Sequence, residues 1–187
     1  MANRFEIRIC GYGGQGVILA GFIIGQAASI FERRSSVFIQ DYGPEARGGA
    51  CRADVVISDE RVLYPYIGTP SVLIVMSQVA YEKFRPKDSE DTLLIIDEDL
   101  VKADAANGRK VLAVPAMRIA EELGRAAVAN IVMLGFATAV TGVISVDKMK
   151  QSVMASVPKG TVELNVKAFE YGYAHGLKED IDHSWLM

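Results

Sequence analysis

The residues with the most chemical potential lie near the start of the chain, in Gly11-Tyr12-Gly13-Gly14-Gln15-Gly16-Val17. So many glycines between a strand and a helix let bare backbone N–H groups approach a bound anion or another chain. Gly11, Gly13 and Gly16 also satisfy the G-x-G-x-x-G pattern of dinucleotide-binding folds. A second constellation follows in Gln40-Asp41-Tyr42-Gly43-Pro44-Glu45-Ala46-Arg47-Gly48-Gly49-Ala50. Pro44 fixes its own φ and turns Gly43 away from the helical region. Arg47 offers a rigid fork of donors for carboxylate or phosphate, and Glu45 can neutralise it or engage a partner. Gly48 and Gly49 allow backbone to come close to a neighbour. Both segments suit anion binding or subunit contact. Acid–base or thiol chemistry is poorly provided for. The two histidines, His175 and His183, come late, and Asp180-Ile181-Asp182-His183 reads as a solvated tail. The two cysteines, Cys10 and Cys51, are too few for a cluster that normally takes four thiolates and read as packing residues.

The elements that position these segments alternate between strand and helix, the signature of an α/β fold. Phe5, Ile7 and Ile9 alternate with Arg4, Glu6 and Arg8, so the first strand has one polar face. Val17 to Ile30 reads as a helix apolar nearly all round, thinned by Gly21 and Gly25 for close packing. Ser36 to Gln40 is a second strand, and Arg52 to Ser58 with Arg61 to Tyr64 suggests a hairpin turning at Asp59-Glu60. Val72 to Met76, Thr92 to Ile96 and Lys110 to Val114 are further strands, with a helix at Gln78 to Phe84. After Pro115 the pattern is all helical. Helices are expected at Ala116 to Leu123, Ala126 to Thr141, Val146 to Ser156 and Val162 to His175, the last capped by Gly176. Asn130 reads as a satisfied core amide and Tyr64-Pro65-Tyr66 as a surface turn. The expected architecture is one Rossmann-like, three-layer domain over residues 1–187, with a mixed or mostly parallel sheet and a helical C-terminal part.

A dinucleotide site needs an acidic residue about 20 positions beyond the first glycine, closing the second strand. Glu32 has the spacing but sits on or at the end of the helix, while Asp41 ends a strand but comes too late. A freestanding NAD(P)-dependent enzyme is therefore an alternative without its confirming context. With a net charge of −3, nothing points to nucleic acid or an anionic membrane. The apolar stretches Val17 to Phe31 and Ala126 to Val140 fall short of the roughly 20 residues of a membrane span. Met1 to Glu6 carries charge where a signal peptide would be apolar, so a cytoplasmic location is expected. Half of the residues are hydrophobic, and the mean hydropathy is +0.20. That excess implies apolar surface covered by another subunit, or by a second copy when the chain is isolated.

The pairing of Gly11-Tyr12-Gly13-Gly14-Gln15-Gly16-Val17 with Tyr42-Gly43-Pro44-Glu45-Ala46-Arg47-Gly48-Gly49 resembles the gamma subunit of 2-oxoacid:ferredoxin or other-acceptor oxidoreductases. Tyr42 to Gly49 followed by Ala53 to Glu60 is most similar to the 2-oxoglutarate or branched-chain branch, and Asn130 to Gly135 and Asn165 to Phe169 with Gly172 resemble the family's C-terminal helices. The resemblance implies an assembly that decarboxylates a 2-oxoacid on thiamine diphosphate. Electrons leave through iron–sulfur clusters, and coenzyme A takes the acyl group. It implies alpha and beta partners, a ferredoxin-like delta subunit in some assemblies, and ferredoxin or a similar acceptor. This chain has no Gly-Asp-Gly thiamine signature and no set of cluster cysteines, so those parts fall to the partners and no residue here is assigned as acid, base or nucleophile. Gly11, Gly13, Gly14, Gln15, Gly16, Glu45, Arg47, Gly48 and Gly49 are the expected contacts to the cofactor region or to a partner subunit. A purely structural interface, or a scaffold without catalytic contribution, is the other reading of the same loops.

Overall fold

A computed structural model describes residues 4–43, 49–85, 91–104 and 110–181 of the chain. Its centre is a six-stranded sheet in the order β2-β3-β1-β4-β5-β6. The strands are β1 (Arg4–Tyr12), β2 (Ser35–Asp41), β3 (Ala50–Ser58), β4 (Val72–Val75), β5 (Leu93–Asp97) and β6 (Val111–Val114). β1, β4, β5 and β6 run parallel, while β3 lies antiparallel between β1 and β2. The sheet is thus mixed, as expected.

The short β4, buried along its whole length, is Val-Leu-Ile-Val, the apolar composition of a strand covered on both faces. On one face lie α1 (Val17–Gln26), α3 (Ala116–Glu122), α4 (Ala129–Thr141), α5 (Val146–Ser156) and α6 (Val162–Gly176). They enclose the larger core, in which Ile9, Ile23, Val55, Ile74, Phe136 and Phe169 are buried. On the other face α2 (Gln78–Phe84) covers a smaller cluster around Cys10, Leu73, Val75 and Tyr81. Ser77 starts α2 by accepting a hydrogen bond from the Ala80 amide at 3.3 Å. Among the described residues no helix is long and apolar enough to cross a membrane.

Several expectations are corrected. Arg61 to Tyr64 forms no strand; β3 makes its hairpin with β2 instead, Ser35 facing Ser58 and Asp41 facing Arg52. Residues 59–71 cross the sheet as a loop, with the Val62 amide donating to Ser35 Oγ at 3.2 Å. The polar stripe of β1 is exposed at Arg4, half-buried at Glu6 and closed off from water at Arg8. Arg8 is buried under that loop and pairs with Asp54 on β3. The first helix changes at its end to a π-helical turn at Ala27–Phe31. Gly176 is the last residue of α6 and Leu177 is its cap; position 176 is small because a side chain there would strike Ala139 and the Phe136 carbonyl. Tyr64 and Tyr66 are exposed, as a surface turn requires.

Candidate functional site

The glycine turn sits where the parallel part of the sheet changes direction. From β1 the chain leaves to α1 on one face, and from β4 it leaves to α2 on the other. Crevices at the carboxyl ends of strands that diverge in this way are the usual ligand positions in open α/β sheets. Gln15 spans the crevice. Its Oε1 accepts from the Tyr12 amide at 2.7 Å, and its Nε2 donates to the Met76 carbonyl at 2.8 Å. Met76 is tied back to β1 through its own amide, which donates to the Cys10 carbonyl at 2.9 Å.

The turn then enters α1 through Gly16, at φ 74°, a left-handed conformation that side chains rarely adopt. A Cβ there would lie 2.4 Å from Asn130 Nδ2. Asn130, near the start of α4, donates from Nδ2 to the Gly16 carbonyl at 3.1 Å. Its Oδ1 is buried and has no hydrogen-bond partner among the described residues. The expected satisfied amide is therefore only half satisfied, and its position beside the turn was not legible from sequence. The N-terminus of α1 has no side-chain cap and no acidic residue in its first turn. Gly13 and Gly14 are exposed, and nothing lies within 4 Å of where the Gly13 Cβ would be. A positive helix end with open space beside it fits a phosphate or carboxylate.

The second constellation converges on the same place. Gly13 donates its amide to the Gly49 carbonyl at 3.3 Å, joining the turn to the start of β3. Gly43, at φ 69°, lies at the other end of the loop, its missing Cβ 3.7 Å from Lys83 Nζ on α2. Of the expected contacts, Gly11, Gly13, Gly14, Gln15, Gly16 and Gly49 are brought together; Glu45, Arg47 and Gly48 lie outside the described residues. Glu32 does not point to a ribose. It accepts from the Ser145 amide at 2.7 Å, while Asp41 pairs with Arg52 at 3.3 Å. With β3 inserted between β1 and β2, the carboxyl end of β2 lies one strand too far from the turn to reproduce the dinucleotide arrangement.

Thiol chemistry is disfavoured here. Burial pushes the Cys10 thiol well above its usual range and raises that of Cys51, which favours the protonated thiol at both. Among the described residues no three His, Cys, Asp or Glu side chains gather into a metal set. Asp97, at the carboxyl end of β5, is wholly buried and accepts from the amides of Asp99 at 3.1 Å and Met117 at 2.9 Å. Burial raises its pKa above the ordinary 3.8, outweighing those hydrogen bonds. The folded chain thus holds this proton more tightly than the unfolded chain. This group's contribution to stability is therefore expected to fall as pH rises through that raised value, and Asp97→Asn to flatten the fall. Urea titrations from about pH 4 to about pH 7 test this; an unchanged slope in the variant would assign the pH dependence elsewhere.

Residues 6–175 match the pyruvate ferredoxin/flavodoxin oxidoreductase family. The chain belongs to that family. It is 46% identical over 173 residues to the 2-oxoglutarate synthase subunit KorC of Methanocaldococcus jannaschii, covering 91% of this chain and 92% of that one. Among solved structures it is similar to the gamma subunit of a keto/oxoacid ferredoxin oxidoreductase from Geobacter sulfurreducens. There the TM-score is 0.83 and the identity 40%, with 94% of this chain and 99% of that one covered. The 2-oxoglutarate:ferredoxin oxidoreductase of Magnetococcus marinus, solved with 2-oxoglutarate, coenzyme A and succinyl-CoA bound, shares the fold at TM-score 0.87 and 23% identity. It covers 97% of this chain and 32% of that much longer one. The expected gamma-subunit resemblance and the expected α/β fold are both borne out. In this member of the oxidoreductase family, the glycine turn and Gly49 meet at the crevice of the sheet.

Proposed function

We propose that this chain is the gamma subunit of a 2-oxoglutarate:acceptor oxidoreductase, a single cytoplasmic domain working with alpha and beta subunits and, where present, a ferredoxin-like delta subunit. The observation that carries the substrate is the 46% identity, over nearly the whole length of both chains, to a subunit named for 2-oxoglutarate synthesis. In such an assembly thiamine diphosphate supplies decarboxylation, iron–sulfur clusters carry electrons to ferredoxin or a similar acceptor, and coenzyme A receives the acyl group. This chain's part is to bind and orient. The uncapped start of α1, with exposed Gly13 and Gly14, offers amides to an anionic group of the cofactor region, and Arg47 adds a charge-assisted contact. The bond from Gly13 to Gly49 favours a second reading of the loop, as a subunit interface, because it commits one turn amide within the chain.

Anaerobic co-purification with the catalytic subunits, followed by steady-state kinetics, separates these readings. The complex is expected to prefer 2-oxoglutarate over pyruvate and 2-oxoisovalerate; preference for another acid would overturn the substrate. Arg47→Ala is expected to raise the KM for coenzyme A about tenfold, the loss of one charge-assisted hydrogen bond, with that for the oxoacid unchanged. Unchanged kinetics in an intact complex would reduce the loop to an interface. A rise in the melting temperature of the isolated chain with NADH or NADPH would instead favour a freestanding nucleotide-dependent enzyme.

A further inference from the structure

At one edge of the sheet, β2 pairs on a single side, with β3, so its outer backbone is unpartnered among the described residues. An open edge is a template for another strand, and proteins usually block it with a lysine, a proline, a bulge or a covering element. β2 reads Ser-Ser-Val-Phe-Ile-Gln-Asp and runs against β3 in unbroken register, so it has none of the first three. Its five residues Ser35 to Ile39 are each only partly buried. Beside it, the π-helical end of α1 leaves a groove of about 340 Å³, walled by Phe22, Ile30 and Phe38. Phe22 is 45% and Ile30 65% exposed, and the buried Ser36 Oγ beside them has no partner among the described residues.

The charges at the two ends of the strand select the occupant. β2 begins directly after Arg33 and Arg34 and ends at Asp41, with uncharged residues between. Arg33 is exposed, and the Asp41 side chain is 47% exposed despite its contact with Arg52. An identical strand laid antiparallel along this edge sets the basic start of each copy beside the acidic end of the other. The two-fold axis of such a pair stands perpendicular to the sheet. It therefore keeps both α1 helices on the same face, so Phe22 and Ile30 of each copy lean toward the other's groove.

We propose that β2 is a self-complementary edge through which two copies of this chain join their sheets antiparallel, with the grooves beside α1 closing over the two-fold axis. This goes beyond the assignment to an oxidoreductase and does not depend on it. Sedimentation of the isolated full chain over a range of concentrations is expected to show a monomer–dimer equilibrium. Hydrogen exchange at residues 35–41 is expected to slow as the dimer forms. Ile30→Glu is expected to weaken the dimer at least tenfold while leaving the melting temperature of the dilute monomer unchanged. Arg33→Asp and Asp41→Arg are each expected to weaken it, and the double swap Arg33→Asp/Asp41→Arg to recover affinity, a result that a mere folding defect would not produce. A monomer at every concentration would overturn the proposal, as would a dimer whose exchange at residues 35–41 ignores dilution. Protection of β2 only on adding the catalytic subunits would overturn it too, giving the edge to a different chain.

Discussion

Gly172→Ala is expected to lower the melting temperature by roughly 10 °C. A Cβ at Gly172 would sit 2.0 Å from the Val132 carbonyl oxygen and 3.0 Å from the Phe136 nitrogen. The contact is reciprocal, since a Cβ at Gly135 would lie 2.0 Å from the Phe169 carbonyl oxygen. These obstacles are backbone atoms inside helices, so no side-chain rotation relieves them, and α4 and α6 must move apart. Overpacking a core costs about 1–3 kcal/mol or more, and the upper end applies when backbone must yield. In a chain of this size each kcal/mol moves the midpoint by about 2–4 °C. The separation would also loosen the buried Phe136 and Phe169, which belong to the larger core. Gly160→Ala is the control, because nothing lies within 4 Å of its missing Cβ. Thermal melts of the two variants should differ widely; equal melts would mean that α4 and α6 do not cross this closely.

Arg8→Met is expected to cost about 3 kcal/mol of stability, measured as a shift in denaturant midpoint. Arg8 grips Asp54 with two hydrogen bonds, Nε to Oδ1 at 2.7 Å and Nη2 to Oδ2 at 2.8 Å, and both residues are buried. Burial alone would lower the Arg8 pKa, but the hydrogen bonds and charge of Asp54 lift it above its ordinary value, so the guanidinium stays charged. Its Nη2 also donates to the Ile67 carbonyl at 3.1 Å, pinning the loop over the sheet. Breaking a buried pair by removing one partner costs about 3–5 kcal/mol. The lower end applies here, since Arg52 remains 4.0 Å from Asp54. Arg8→Met/Asp54→Leu is expected to recover most of the loss, because no lone charge is left in the interior. If the double variant were as unstable as the single one, packing under the loop rather than charge would set the cost. The single variant is also expected to be cut faster by protease between Asp59 and Ser71, where that anchor is lost.

Sequence reading worked best where the signal is local. The start of β1, the glycine turn, the branched apolar β4 and β5, and α5 with its residue limits all follow from composition and period. It failed where the deciding partner lies far along the chain. Asp59-Glu60 has good turn chemistry, yet β3 pairs with the earlier β2, and nothing near residue 60 can signal that choice. The charged stripe of β1 looks like a wet face until Asp54, on a strand formed much later, supplies the opposite charge. Gly176 looks like a helix cap, but it is small because α4 presses against it. For the site, the turn and the end of the loop at Gly49 were legible as motifs. The crevice, Gln15 as its bridge and Asn130 behind Gly16 depended on the sheet order and so were not.

The link between Gly16 and Asn130 also has a consequence for how the chain is born. The turn, its bridge Gln15, the strand end at Tyr12 and the strand-flanking Gly49 and Met76 all come from the first half of the polypeptide. Asn130 follows Gly16 by 114 residues. At ribosomal rates of about 5–20 residues per second, that amide arrives on the order of ten seconds after the turn it pins. The nascent amino-terminal half therefore carries the turn without its Asn130 contact, which forms only once the start of α4 has arrived. Formation of this one hydrogen bond thus dates the docking of α4 against the turn, before α5 and α6 complete the core.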